Sequence, residues 1–209
     1  MLPRQAAPTS DWMETALIET NTKIGIISKA LILCGEKALN SLSDDRYGAE
    51  VGGNLFELIY ENELQSNPWR FSMKKAALGQ LNVTPLNQFQ YAYQVPSDCL
   101  LVRHVYPATS YELFGNRLYT DDVSVELDYQ FKPDVSLVPA YFNMLLVYAL
   151  ARDMVKPITE SDVAVKLLQA KYVLQPDRAM YADAQARPAQ TVQYNPFVSA
   201  RLSGTWAGG

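Results

Sequence analysis

Apolar and polar residues alternate over residues 89–95, where Phe89, Tyr91, Tyr93 and Val95 are separated by Gln90, Ala92 and Gln94. Side chains of a strand point to opposite faces in turn, so this pattern predicts a half-buried strand. Pro96, Ser97 and Asp98 break the run with turn residues. Residues 99–106, with Leu100, Leu101, Val102 and Val105, predict a second strand. Residues 111–114 and 117–119 flank Gly115-Asn116, a two-residue hairpin signal. Asp121-Asp122 marks another turn. Val123, Val125, Leu127 and Tyr129 then alternate in a last strand before Lys132-Pro133-Asp134.

On either side of this β region the period changes to that of helices. Ser10 or Asp11 caps a short helix over residues 12–19, and Thr20, Asn21 and Thr22 offer a second cap. Ile24, Ile27, Ala30, Leu31 and Cys34 then recur at three- and four-residue steps, one face of a helix that Gly35 stops. Ser43 and Asp44 are caps for a helix over residues 46–65, with Val51, Leu55, Leu58 and Ile59 as its apolar face and Tyr47 at its margin. Gly52-Gly53 weakens that helix by about 1 kcal/mol per glycine relative to alanine. A close helix crossing is one reason to tolerate the pair, and a bend is another. Asn67-Pro68 predicts a helix restart with Trp69, Met73 and Ala77 on one side, ending at Gly79.

Residues 138–154 are strongly apolar, with Phe142, Leu145, Leu146 and Ala149 as the stripe and Tyr141 and Tyr148 widening it. This is expected to be the most buried helix. Thr159 to Asp162 resembles a capping box with Asp in place of Glu, opening a helix with Ala164, Leu167, Leu168 and Tyr172 inward. Pro176 kinks or divides that helix near residues 172–175. The expected fold is therefore α+β, mainly α. Residues 11–80 and 138–186 form a helical bundle from both chain ends, residues 81–137 an inserted antiparallel β lobe, and residues 187–209 an extended C-terminal arm. The arm has no periodicity, yet it holds Tyr194, Phe197, Leu202 and Trp206. Four such residues predict docking on another chain rather than a solvated tail.

Composition sharpens this picture in a few places. Charged residues are 19%, below the usual quarter, and there are 13 tyrosines. That fits a surface buried against partners or a tyrosine-rich core. The net charge of −4 argues against a footprint for holding nucleic acid, although an acidic protein can line a channel through which DNA slides. Cys34 and Cys99 have no CxxC spacing and read as buried or idle thiols. The first residues have no apolar core, so neither a signal peptide nor a membrane span is expected, and a soluble protein made in a cytoplasm is.

Candidate chemistry is sparse. His104 is the single histidine and stands within a predicted strand. Asp44-Asp45 and Asp121-Asp122 occupy turn contexts, where aspartate is favoured for turn and cap reasons alone. No phosphate-binding glycine loop, nucleophile elbow or zinc-helix motif occurs in the chain. Arg70, Lys74 and Lys75 make a small basic patch on the helix predicted there. These residues predict no catalytic site, no cofactor and no metal.

The order of the parts resembles a known family. ISKALILCGEKALNSLSDD (residues 27–45), NPWRFSMKKAAL (67–78), FQYAYQVPSDCLLVRHV (89–105), YELFGNRLYTDD (111–122) and the long segment 125–161 follow the order of the tail tubular protein A family of short-tailed bacteriophages. The resemblance covers about residues 24–181. The extension through Glu19, the interruption at Pro176 and the arm after Arg187 depart from it. It implies a head-to-tail adaptor of the virion neck, made in the cytoplasm of a bacterial host. Copies would form a ring, twelvefold, between the portal protein and the tail nozzle, with a channel through which DNA passes without specific binding. On this reading the arm, with Tyr194, Phe197, Leu202 and Trp206, is the portal contact. The β lobe, with Tyr91, Tyr93, Tyr111 and Phe114, meets the neighbouring subunit or the nozzle. Another neck component, such as a head-completion or stopper protein, and a small cytosolic enzyme are the alternatives.

Overall fold

A computed structural model describes residues 21–186, apart from residues 40, 42, 44, 87, 108 and 109. The expected helix over residues 12–19, the Asp44 cap and the C-terminal arm lie outside the described residues. The fold is α+β and mainly α. Helices α1 (Lys23–Leu33) and α2 (Tyr47–Ser66) come first, and α3 (Ala140–Thr159), α4 (Asp162–Val173) and α5 (Gln175–Gln185) come last. Between them run β1 (Met73–Ala77), β2 (Tyr91–Gln94), β3 (Cys99–Tyr106), β4 (Tyr111–Phe114), β5 (Arg117–Thr120) and β6 (Glu126–Phe131).

Helix α3 is the axis of the helical part, and α1, α2, α4 and α5 all pack on it. Phe142, Leu145, Leu146, Ala149 and Leu150 are buried along it, as the apolar run requires. Thr22 caps α1 by accepting from the Gly25 N–H at 3.1 Å. Gly35 follows that helix with a φ of 91°, a left-handed conformation that costs glycine little. Pro176 lies in the first turn of α5, so the long C-terminal periodic stretch divides at Leu174 into α4 and α5.

Helix α2 turns inward a face that overlaps the expected one, with Ile59 buried and Val51 and Leu55 packed against the helical core, but it is rotated away from Leu58. Ala49, Gly52, Phe56, Ile59, Tyr60, Glu63 and Leu64 are buried, while Leu58 and Tyr47 are exposed. The reason is the close crossing at Gly52. A Cβ there would lie 2.5 Å from Ile27 Cγ2 of α1 and 3.0 Å from Met154 Cε of α3. Gly48 meets Leu31 in the same way, at 2.7 Å. The two glycines, one turn apart, let α2 seat against α1, and that seating sets which face is covered. The cap also differs. Arg46 holds the N-cap position without a side-chain cap bond, and its guanidinium instead donates to the Lys37 and Ala38 carbonyls.

The second correction concerns the segment after Pro68. Only Arg70–Ser72 makes a short 3-10 turn, and Met73–Ala77 is a strand rather than the expected helix. Trp69 is buried with an extended backbone and donates from Nε1 to the Glu63 carbonyl at 2.8 Å, which turns the chain back across the end of α2. Residues 73–77 then pair along β6, from Met73 opposite Gln130 to Ala77 opposite Glu126. Lysines suit this edge strand, because charge there discourages further pairing. A third difference lies at α4, where the cap is Ser161, accepting from the Ala164 N–H at 3.4 Å. Thr159 closes α3 instead, bonded to the Val155 carbonyl.

The β region is two antiparallel sheets, ordered β1-β6-β3 and β2-β5-β4. The chain alternates between them, with the Gly115-Asn116 hairpin joining β4 to β5. Tyr93, Val95, Val105, Leu118, Val125, Leu127 and Tyr129 form a core of their own, separate from the helical core.

The glycine contacts predict opposite effects at adjacent positions. Gly52→Ala is expected to destabilise by about 1–3 kcal/mol through overpacking. Gly53→Ala, where a Cβ meets nothing within 4 Å, is expected to stabilise by up to about 1 kcal/mol through helix propensity. Urea unfolding of both variants checks this, and equal effects would refute the close crossing.

Candidate assembly surfaces

The residues weighed for chemistry are spread over the fold. His104 stands exposed on β3, opposite Asp128 of β6. Asp121 Oδ1 accepts the Gln90 N–H at 2.9 Å, and the Asp122 carbonyl accepts the Tyr93 hydroxyl at 2.7 Å. Cys34 is buried and hydrogen-bonded to the Ala151 carbonyl, and burial pushes its thiol up to about 11. Cys99 is half-buried and is likewise raised by burial. The basic patch spans the 3-10 turn and β1 rather than an α-helix, and acids answer it. Lys74 meets Asp98 at 2.7 Å, Lys75 meets Asp128 at 3.4 Å, and Arg70 meets Asp183 at 3.9 Å. Among the described residues no cluster of three or more His, Cys, Asp or Glu is placed to hold a metal. No described helix is long and apolar enough to cross a membrane.

Two carboxylates, unremarked in the sequence, are buried between elements. Asp183 of α5 accepts the Tyr141 hydroxyl at 2.6 Å and the Arg70 N–H at 3.3 Å. Glu63 of α2 accepts the Tyr172 hydroxyl of α4 at 2.7 Å. The Arg152 guanidinium lies 4.2 Å from the centre of the Tyr172 ring and also bonds Asp153. Burial pushes the Glu63 carboxyl above its ordinary value, although the Tyr172 hydrogen bond and the Arg152 charge act the other way. Burial, and then the bond to Glu63, pushes the Tyr172 hydroxyl up to about 12.

Another buried polar group was equally hidden. The Gln130 amide nitrogen of β6 shares its two N–H groups among the Leu64 carbonyl at 2.6 Å, the Asn67 carbonyl at 2.8 Å and Ser72 Oγ at 2.8 Å. Its oxygen accepts from Arg103 of β3, which also donates to the Gln65 carbonyl at 2.9 Å. The signal available was one glutamine among the alternating residues of a predicted strand, and such a residue normally reads as the solvent face.

The surfaces offer more than the interior does. Val163 and Leu167 lie four residues apart on one face of α4, and Leu174 follows at the junction with α5, each more than half exposed. This reverses the expectation that Leu167 points inward; only Leu168 of α4 is buried. A groove of about 700 Å³ runs between α1 and α3, lined by Ile32, Leu33, Met144, Val147 and Tyr148. Asn143 also lines it and is buried. Asn143 Nδ2 donates to Asn21 Oδ1 at 2.5 Å, while Asn143 Oδ1 has no partner among the described residues. On the β lobe a smaller cleft of about 310 Å³ lies over the β4–β5 hairpin, walled by Leu86, Phe89, Phe114 and Tyr119.

The four lobe residues expected at a contact are not equivalent. Tyr111 and Phe114 are exposed on β4, and Tyr91 is half-buried. Tyr93 is buried in the lobe core, with its hydroxyl spent on Asp122, so it offers no surface. Tyr194, Phe197, Leu202 and Trp206 lie outside the described residues.

No family model and no curated protein matches the chain.

The raised Glu63 pKa has a defined sign. The folded protein holds this proton more tightly than the unfolded chain, so the contribution is full below the ordinary glutamate value and is lost as pH rises through the folded value. Glu63→Gln cannot ionise and escapes that loss. Relative to wild type, the variant is expected to gain stability between about pH 4 and pH 7. Urea midpoints across that range check it, and parallel pH profiles would show that Glu63 does not titrate as described.

Proposed function

We propose that this chain is a head-to-tail adaptor of a bacteriophage neck, forming a ring between the portal and the tail nozzle. The observation that carries the reading is the exposed apolar line on α4. A self-contained monomer gains nothing from leucine and valine aligned on an outer helix face, whereas a ring subunit buries such a line against its neighbour. The groove between α1 and α3 is a second apolar surface with a different shape. Two unlike surfaces are what a head-to-tail closed ring needs, since each interface joins different patches. The shared order of motifs with tail tubular protein A supports the same reading.

Within that reading the arm, residues 187–209, reaches the portal, and the channel passes DNA without gripping it. The test is to mix the purified protein with the portal of the same virus and view the product by negative-stain microscopy. A ring capping one end of the portal is expected. Leu167→Glu is expected to abolish ring formation while changing monomer stability by no more than about 0.5 kcal/mol, as exposed substitutions do. Truncation at Arg187 is expected to abolish docking and leave far-UV circular dichroism nearly unchanged. Wild-type protein that stays free of the portal would overturn the adaptor reading. Normal rings from Leu167→Glu would remove α4 from the interface.

A further inference from the structure

The sheet β2-β5-β4 is finished on one side and open on the other. The outer edge of β2 is covered, because the Leu81 N–H donates to the Ala92 carbonyl at 2.8 Å and the Gln94 N–H to the Gly79 carbonyl at 3.2 Å. The outer edge of β4 has no such cover among the described residues. Phe114 faces Arg117 as the closing pair of the two-residue hairpin, so Phe114 and Glu112 bond inward to β5. The N–H and C=O groups of Tyr111 and Leu113 therefore point to the open edge. The side chains show the same gap. Leu118 and Thr120 on β5 are 0% and 1% exposed, yet their partners Leu113 and Tyr111 are 40% and 39% exposed. The lobe core lacks one strand's width of cover at this edge.

We propose that residues 197–202 of a neighbouring copy of this chain add a strand to the open edge of β4. This rests on the ring reading above and specifies how its subunits are linked. In FVSARL, Val198, Ala200 and Leu202 fall on one face of a strand, and Phe197, Ser199 and Arg201 on the other. The apolar face covers Leu113 and Tyr111. In an antiparallel register that sets Arg201 opposite Glu112, Ser199 faces Phe114 and Phe197 lies one pair further along, beside the cleft that Glu112 and Phe114 line on that side of the sheet.

Charge favours the pairing. Residues 187–209 carry two arginines and no acidic side chain, whereas residues 81–131 carry two arginines against six acids. From Ala186 the chain reaches residue 197 over as much as about 35 Å, enough to cross to an adjacent subunit. Strand addition gives affinity through main-chain bonds and specificity through alternate side chains. Phe197 and Leu202 then belong to the neighbour, and Tyr194 and Trp206 remain for the portal.

The test uses full-length chains assembled on the portal. One preparation carries Leu113→Cys and the other Val198→Cys, Ala200→Cys or Leu202→Cys, mixed before oxidation. A covalent pair of the two different chains is expected for at least one position, and not from either chain alone. Glu112→Arg or Arg201→Glu is expected to lower the yield about three- to five-fold, and the two together to restore it. A chain carrying both cysteines that closes only on itself would overturn the proposal. So would rings that form normally on the portal with no cross-link at any of the three positions. Absence of rings under the microscope would instead remove the adaptor reading, and this proposal with it.

Discussion

The end of α2 is where the two halves of the molecule are joined, and the joint is a set of carbonyls in need of donors. A helix leaves its last four carbonyls without partners inside the helix. Here three of them are answered by distant side chains. The Glu63 carbonyl takes the Trp69 indole, that of Leu64 takes the Gln130 amide, and that of Gln65 takes the Arg103 guanidinium. Gln130 also bonds Ser72, at the turn leading into β1. One helix terminus thus fixes the 3-10 turn, β6 and β3 together. Gln130 is fully buried, so losing any partner strands a polar group away from water, at a cost of about 1–3 kcal/mol. The joint is consequently specific in geometry, although little apolar surface is spent on it.

On the helical side of that joint, closeness replaces bulk. Gly48 and Gly52 bring α2 onto Leu31, Ile27 and Met154, and the aromatic side chains sit further along. Trp69, Phe71, Tyr60 and Phe142 meet edge-to-face or tilted, with ring centres 5.0–6.4 Å apart. This cluster lies beside the carbonyl joint, since Trp69 belongs to both. The lobe keeps its own small core around Leu118, Leu127 and Tyr93. The polar joint and the chain crossings fix the two cores relative to each other.

Much of this was legible where the signal is local. Gly115-Asn116, Pro176, Gly35 and the apolar run of α3 each act on their own backbone, and each element lies where they place it. The misreadings share one cause. Trp69, Met73 and Ala77 sit at helical spacing, but β6 pairs with residues 73–77 from Met73 opposite Gln130 to Ala77 opposite Glu126, and pairing overrides propensity. The inward face of α2 is set by glycines, which carry no hydrophobic signal. Gln130, Glu63 and Asp183 read as solvated because their partners are remote in sequence. The β4 edge could not be read at all, for a strand becomes an edge only once the sheet order is known.

The way α4 is held explains why its apolar residues remain outside. Leu168 is its only fully buried side chain, Tyr172 bonds Glu63 of α2 near its C-terminal end, and Ser161 caps its first turn. A 12-residue helix is marginal in water without tertiary support. Here that support is Ala164, Val165, Leu168 and Tyr172 packed against the helical core, joined by the Tyr172 bond to Glu63 with Arg152 over the ring. The inward residues and this tether fix the helix and leave its outer face uncovered. Val163, Leu167 and Leu174 are thereby left for something else. The same logic holds at β4, whose inner neighbour is saturated and whose outer edge is open. In the proposed ring, an identical chain would supply the helix face that covers α4 and the strand that covers β4.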